Sequence, residues 1–133
     1  MDMTPEFIVL AFTLILAIVQ IFAAATARTM ELGAKWNAGP RDGEAPPPGR
    51  LAGRLLRAQA NLFETLPIFA AAVIMAHVAG KDGGVLTLWG VHLYFFARVA
   101  YVPLYAYGVT GVRSLAFLVS LAGLIMVIAA LFV

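Results

Sequence analysis

Two short stretches of this sequence place ionisable and hydrogen-bonding side chains at helical spacing within apolar surroundings. Arg57, Asn61 and Glu64 fall at about 0°, 40° and −20° around a helix turning ~100° per residue, so they share one narrow face. Arg98, Tyr101 and Tyr105 fall at about 0°, −60° and −20°, again one face. Arg113 and Arg28 border these stripes. A guanidinium presents a rigid fork of N–H donors that matches a carboxylate. Asn and Tyr add neutral hydrogen bonds, and Glu64 is one carboxylate that can take an ammonium. Two such stripes with surplus positive charge point to a site for a polar anion. The plainer alternative is an Arg–Glu pair tethering two helices, with the tyrosines in an aromatic belt. Gln59 lies about 160° from the Arg57 stripe and can reach a site there only from another wall or a neighbouring subunit.

The elements that must position these residues follow from composition. In 133 residues, 62% are hydrophobic and only 12% charged, far from the balance of a soluble domain or a disordered chain. An all-α integral membrane protein remains. Four stretches are long and apolar enough to cross a bilayer core of about 30 Å. They are expected at about 5–28, 51–79, 84–107 and 112–132, in one domain covering 1–133. The polar stripes lie on the second and third spans, where a charge is expensive and faces the bundle interior or a water-filled cavity by default. Pro67 and Pro103 fall inside those spans and free the carbonyls of Phe63 and Val99.

The connection between the first two spans is the only long one. Its residues 37–49 are rich in Gly and Pro and cannot be helical throughout, so a surface loop or partial lid is expected. Asp82-Gly83-Gly84 is a tight turn that makes the second and third spans antiparallel neighbours. Arg28, Lys35, Arg41, Arg50, Arg54 and Arg57 cluster on the first connection and its flanks, and Arg113 borders the third. The opposite side has Lys81 alone. The positive-inside bias predicts loops one and three in the cytoplasm and both termini outside, periplasmic in a bacterial inner membrane. The first span lacks a basic start, so it is expected to be retained rather than cleaved as a signal.

Other chemistries find little support. Cysteine is absent, which removes disulfides, thiolate metal sites and Cys nucleophiles. Two histidines do not suggest a metal site. His77 reads as an interfacial side chain and His92 as packing or an interhelical hydrogen bond. Trp36 and Trp89 read as interface anchors, and Gly108 and Gly111 as turn residues. No phosphate-binding loop, dinucleotide fingerprint or nucleophilic triad is present, and no patch suits nucleic acid.

The run Arg57-Ala-Gln-Ala-Asn-Leu-Phe-Glu-Thr-Leu-Pro-Ile-Phe69, followed by Phe96-Ala-Arg-Val-Ala-Tyr-Val-Pro-Leu-Tyr105, resembles the paired motifs of the MAPEG family, membrane-associated proteins of eicosanoid and glutathione metabolism. The loop from Lys35 to Asp42 resembles bacterial members, and the motif set is most similar to leukotriene C4 synthase-like members. The resemblance covers essentially the whole chain. It implies a homotrimer of four-helix protomers, with glutathione held between subunits near the cytoplasmic side.

On matching positions, the resemblance makes Arg57, Asn61, Glu64, Arg98, Tyr101 and Tyr105 glutathione-binding residues. Gln59 would reach in from a neighbour, and Arg28 would border the site. Arg113 would be the arginine that stabilises the glutathione thiolate. Several positions depart from the pattern: Thr65 where some transferases carry Tyr, Ala60 where others carry a larger residue, and Tyr101 where prostaglandin synthase-like members have His. Tyr105 and Arg113 are eight apart, which requires a one-residue shift in alignment. The implied activity is a glutathione-dependent transferase or peroxidase acting on lipophilic electrophiles. The alternatives are a non-catalytic member that binds lipid or serves a membrane complex, and a bundle in which the charges only tether helices.

Overall fold

The computed structural model describes residues 2–133. It consists of helices and turns: α1 (Pro5–Leu32), a short α2 (Ala34–Ala38), α3 (Arg50–Val78), α4 (Val85–Ala106) and α5 (Thr110–Ala130). α1, α3, α4 and α5 are each long and apolar enough to cross a membrane. The protein is therefore an all-α, multi-pass membrane protein with a four-helix bundle.

α1 starts where Thr4 accepts the Phe7 N–H at 3.2 Å and Pro5 occupies the first turn. Its 28 residues span about 42 Å, more than a bilayer core, and α3 is as long at 29. Both project past the apolar slab at the arginine-rich end. α1 runs to Leu32, four residues beyond the span expected from hydropathy, because a helix does not stop where its side chains turn polar. Gly33, with φ +89°, ends it, and α2 follows directly in the long connection, stopping at the start of the Gly- and Pro-rich stretch 37–49.

The core is built from stripes at heptad spacing. α1 buries Glu6, Leu10, Thr13, Ala17, Gln20 and Ala24, and α4 buries Thr87, Val91, Tyr94, Arg98 and Tyr101. α3 contributes Leu62, Phe69 and Val73 between them. Phe69 stacks on Tyr94 with ring centroids 3.9 Å apart, and the Tyr94 hydroxyl meets the Thr65 hydroxyl at 2.8 Å. α4 and α5 pack most closely, at Gly90 and Gly123. A Cβ on Gly123 would sit 2.5 Å from the Gly90 carbonyl oxygen and 2.7 Å from the Tyr94 nitrogen.

Charged side chains fix both ends of the bundle. At the end that holds both chain termini, buried Glu6 accepts from the Gly83 N–H at 2.6 Å and the Thr87 hydroxyl at 2.8 Å. This joins the first turn of α1 to the α3–α4 turn. His77 contacts Asp82 at 2.5 Å and lies against the Phe7 ring, so it is a partnered group in that junction. At the arginine-rich end, the Glu31 carboxylate accepts the Gly49 N–H at 2.9 Å, capping α3 from another helix. Arg28 holds Glu31 at 2.8 Å and also donates to the Pro46 carbonyl.

The glycine crossing yields the first prediction. Gly123→Ala forces two backbones apart and should lower stability by about 1–3 kcal/mol in detergent. Gly111→Ala meets open space at unstrained φ and should change the thermal midpoint little. Thermal unfolding of both variants is the check.

Candidate functional site

Arg98 projects from α4 into the bundle and is completely buried, although it carries a charge. Its Nη1 donates to Asn61 Oδ1 of α3 at 2.6 Å, and its Cζ lies 4.3 Å from the centroid of the Tyr101 ring. An electron-rich ring face and a strong acceptor offset part of the desolvation cost of a buried guanidinium. The contact also orients Asn61. Arginine has no acceptor, so Asn61 must turn its oxygen inward and present its NH2 on the other side.

On that other side Asn61 lines a cleft of about 330 Å³, together with Tyr101, Tyr105, Arg113, Ser114, Phe117 and Leu118. Arg113, in the first turn of α5, places its Cζ 4.6 Å from the Tyr105 ring centroid. Arg57 donates from Nε to the Tyr105 hydroxyl at 3.1 Å. Tyr101 and Tyr105 meet edge to face at 5.5 Å. Tyr105 is thus held between two guanidinium groups from different helices. The polar wall is dominated by donors and positive charge, which suits a ligand rich in carboxylates or carbonyls.

The structure brings together Arg57, Asn61, Arg98, Tyr101, Tyr105 and Arg113 from the two expected stripes and α5. Glu64 lies one turn beyond Asn61 on α3 and is exposed. It makes no ion pair: among the described residues these are Arg28–Glu31 and His77–Asp82. The interhelical tether is therefore Arg98–Asn61, and not the Arg–Glu pair that residue types alone suggested. Gln59 is half-buried and away from the cleft lining. Arg28 is engaged in the α1–α3 clasp rather than at the cleft. The His92 Nδ1 lies 2.7 Å from the Leu88 carbonyl of its own helix, so of the two roles expected for it, packing or an interhelical hydrogen bond, its polar contact is not interhelical. No group of three or more metal-ligating side chains is found among the described residues.

Arg54 was counted in the sequence only as a loop charge. Its Nη1 donates to the Ala106 carbonyl at 3.2 Å, capping α4. The guanidinium also lies over Gly108, where an added Cβ would be 2.7 Å from Nη2 and φ is +73°. Its signal was available, since Arg54 precedes Arg57 by one helical turn and falls about 60° from it.

A model of the MAPEG family matches residues 9–133, nearly the whole chain and every element that builds the cleft. The chain belongs to the MAPEG family. Membership supports a membrane role in glutathione-related or lipid metabolism. A search of curated proteins found no match.

The Arg98–Asn61 contact makes a specific prediction for this MAPEG protein. Asn61→Leu strips a buried guanidinium of its acceptor and should cost about 3 kcal/mol of stability. Asn61→Asp keeps an acceptor facing Arg98 and should cost much less. Thermal unfolding in one detergent, with wild type alongside, separates the two.

Proposed function

We propose that this MAPEG protein is a membrane-bound glutathione-dependent transferase or peroxidase acting on lipophilic electrophiles. The observation that carries the reading is the cleft lined by Asn61, Tyr101, Tyr105 and Arg113, with Arg57 on the Tyr105 hydroxyl beside it and Arg98 holding the Asn61 oxygen. Glutathione has two carboxylates, two peptide carbonyls, one ammonium and a thiol. The cleft offers donors for the acceptors, and Glu64 is the carboxylate available for the ammonium.

In this reading Arg113 is the catalytic residue. A free thiol has a pKa of about 8.5. Bringing it to half thiolate at neutral pH takes roughly 2 kcal/mol, which one guanidinium in a partly dry site can supply. The thiol proton passes to solvent. The thiolate sulfur then forms a bond to an electrophilic carbon, and the displaced pair leaves with the departing group or protonates after addition. With a hydroperoxide, sulfur attacks oxygen, an alcohol leaves, and a second glutathione yields the disulfide and water. The protein's groups bind, orient and stabilise charge, while the nucleophile is the substrate's own sulfur.

A homotrimer fits the exposed polar groups. Arg57 and Glu64 are exposed on the protomer although they sit on a membrane-crossing helix. A charge facing lipid costs about 3 kcal/mol or more, so a neighbouring subunit is the natural cover. Gln59, and through it a second protomer, would then complete the glutathione site. The positive-inside bias puts this end in the cytoplasm and both termini on the other face, as in a bacterial inner membrane.

A second reading, a lipid-binding or accessory member, draws on an apolar cleft of about 460 Å³ beside Trp89, His92, Phe96 and Val119 on the other side of the α4–α5 pair.

Glutathione titration of the purified protein, by calorimetry and thiolate ultraviolet absorbance, is the test. Wild type should bind and show a thiolate band. Arg113→Ala should retain binding within a few-fold and lose the band, while Arg57→Ala and Glu64→Ala should weaken binding about tenfold or more. Absence of binding to a well-folded oligomer overturns the transferase reading and favours the second.

A further inference from the structure

Among the described residues, the buried side-chain polar atoms without a hydrogen-bond partner fall into two groups. Glu6 Oε2 and Asp82 Oδ1 lie at the junction of α1 with the α3–α4 turn. The others are Arg98 Nε and Nη2 on α4, and Oε1 and Nε2 of Gln20 on α1. Arg98 is 0% exposed and Gln20 3%. Their free atoms are sealed inside a single protomer, so neither a neighbouring subunit nor a ligand in the cleft can satisfy them. The partner must come from within the bundle.

Helix register places the two side chains at one depth. Glu6 bonds Thr87, which sets the offset between the parallel helices α1 and α4. From there both stripes advance by the same heptad steps, and fourteen residues, about 21 Å along each axis, bring Gln20 level with Tyr101. That is the ring over which the Arg98 guanidinium lies. α3 gives the same depth: its contacts with α1 pair Phe7 with His77 and Glu31 with Gly49, which sets Gln20 near residues 60–64. Asn61 stands there.

We infer that Gln20 is a positioning residue for the cleft: its amide oxygen takes the second edge of the Arg98 guanidinium, opposite Asn61. Arg98 offers two unmatched donors and Gln20 an unmatched acceptor at the same level, and a glutamine side chain has three torsions with which to close the contact. Held from both sides, Arg98 keeps the Asn61 amide turned so that its NH2 faces the cleft. A residue of α1 with no access to the cleft thereby sets the hydrogen-bonding polarity of its wall. The inference rests on the glutathione reading only for its consequence, since the Gln20–Arg98 contact stands or falls by itself.

The test uses full-length protein in detergent and reads stability first. Gln20→Leu should lower the thermal midpoint by roughly 5 °C, and the same substitution in an Arg98→Leu background should leave it unchanged or raise it. Gln20→Glu should hold or raise the midpoint, because a carboxylate beside Arg98 is paired. This single variant also decides the matter if Arg98→Leu fails to fold. A midpoint that rises in Gln20→Leu, or falls steeply in Gln20→Glu, overturns the inference. Glutathione affinity is the second readout. Gln20→Leu should weaken it about tenfold and Gln20→Glu should restore it to within a few-fold, which a purely structural glutamine would not do. Coupled stability in a protein that binds no glutathione removes the proposed function and keeps the contact. Glutathione binding without coupling does the reverse.

Discussion

A positive charge lies at the centre of this bundle, and the arrangement of the site depends on how it is accommodated. Arg98 has no exposure, and an isolated guanidinium at that depth would cost several kcal/mol. It is tolerated because α3 brings Asn61 to one edge and α4 itself places the Tyr101 ring against its face. These contacts constrain the depth and rotation of α3 relative to α4, since a shift of one turn would leave the charge without its acceptor. They also constrain the neighbouring polar groups. Asn61 must offer its oxygen inward, so its donors face outward beside the hydroxyls of Tyr101 and Tyr105.

Such a polar layer needs bundle ends that do not slide, and the ends are tied by charged groups borrowed from other helices. Glu6 closes the turn between α3 and α4, and Glu31 caps α3 across the loop. Arg54 caps α4 from α3. In each case a helix terminus with unsatisfied backbone groups receives a side chain from a different helix, so one contact satisfies the backbone and sets register. Gly49 and Gly108 follow from this geometry. Gly49 leaves the Glu31 carboxylate room to approach, and Gly108 combines φ +73° with a close approach of the Arg54 guanidinium.

Much of this was legible in the sequence. The four crossings follow from hydropathy and length, and the stripes of Arg57, Asn61 and Glu64 and of Arg98, Tyr101 and Tyr105 follow from the helical period. Their partners did not follow. Periodicity assigns a face but not a depth, and the choice between Glu64 and Asn61 as the acceptor for Arg98 is decided by the register of two antiparallel helices. That register comes from Gly83, Thr87 and Glu6, far away in sequence. Arg28 looked equivalent to Arg113 because one closes and the other opens a span on the charged side, yet Glu31 lies one turn from Arg28 and the loop returns at Pro46, so local partners take it. Gln20 was invisible to a search for charges. It is neutral and lies between Ala17 and Ala24 on the buried stripe of α1, and only the orphaned donors of Arg98 give it meaning.

The distribution of exposed charge carries the reasoning beyond one protomer. In a soluble protein an exposed Glu64 or Arg57 would need no explanation. On a helix whose remaining exposed surface is largely apolar, such groups must meet something other than lipid. The inner charge, Arg98, is enclosed by the bundle with Asn61 as its one hydrogen-bond partner, whereas Arg57 and Glu64 are left on the surface. This partition separates a sealed arginine from reachable ones on physical grounds: the Arg98 guanidinium is enclosed by the fold and acts on its neighbours, while Arg57 and Arg113 are braced against Tyr105 with part of their surface accessible. The proposed chemistry needs both kinds. Binding an anionic peptide takes reachable donors, and holding them in one orientation before the ligand arrives takes a buried charge that admits no other.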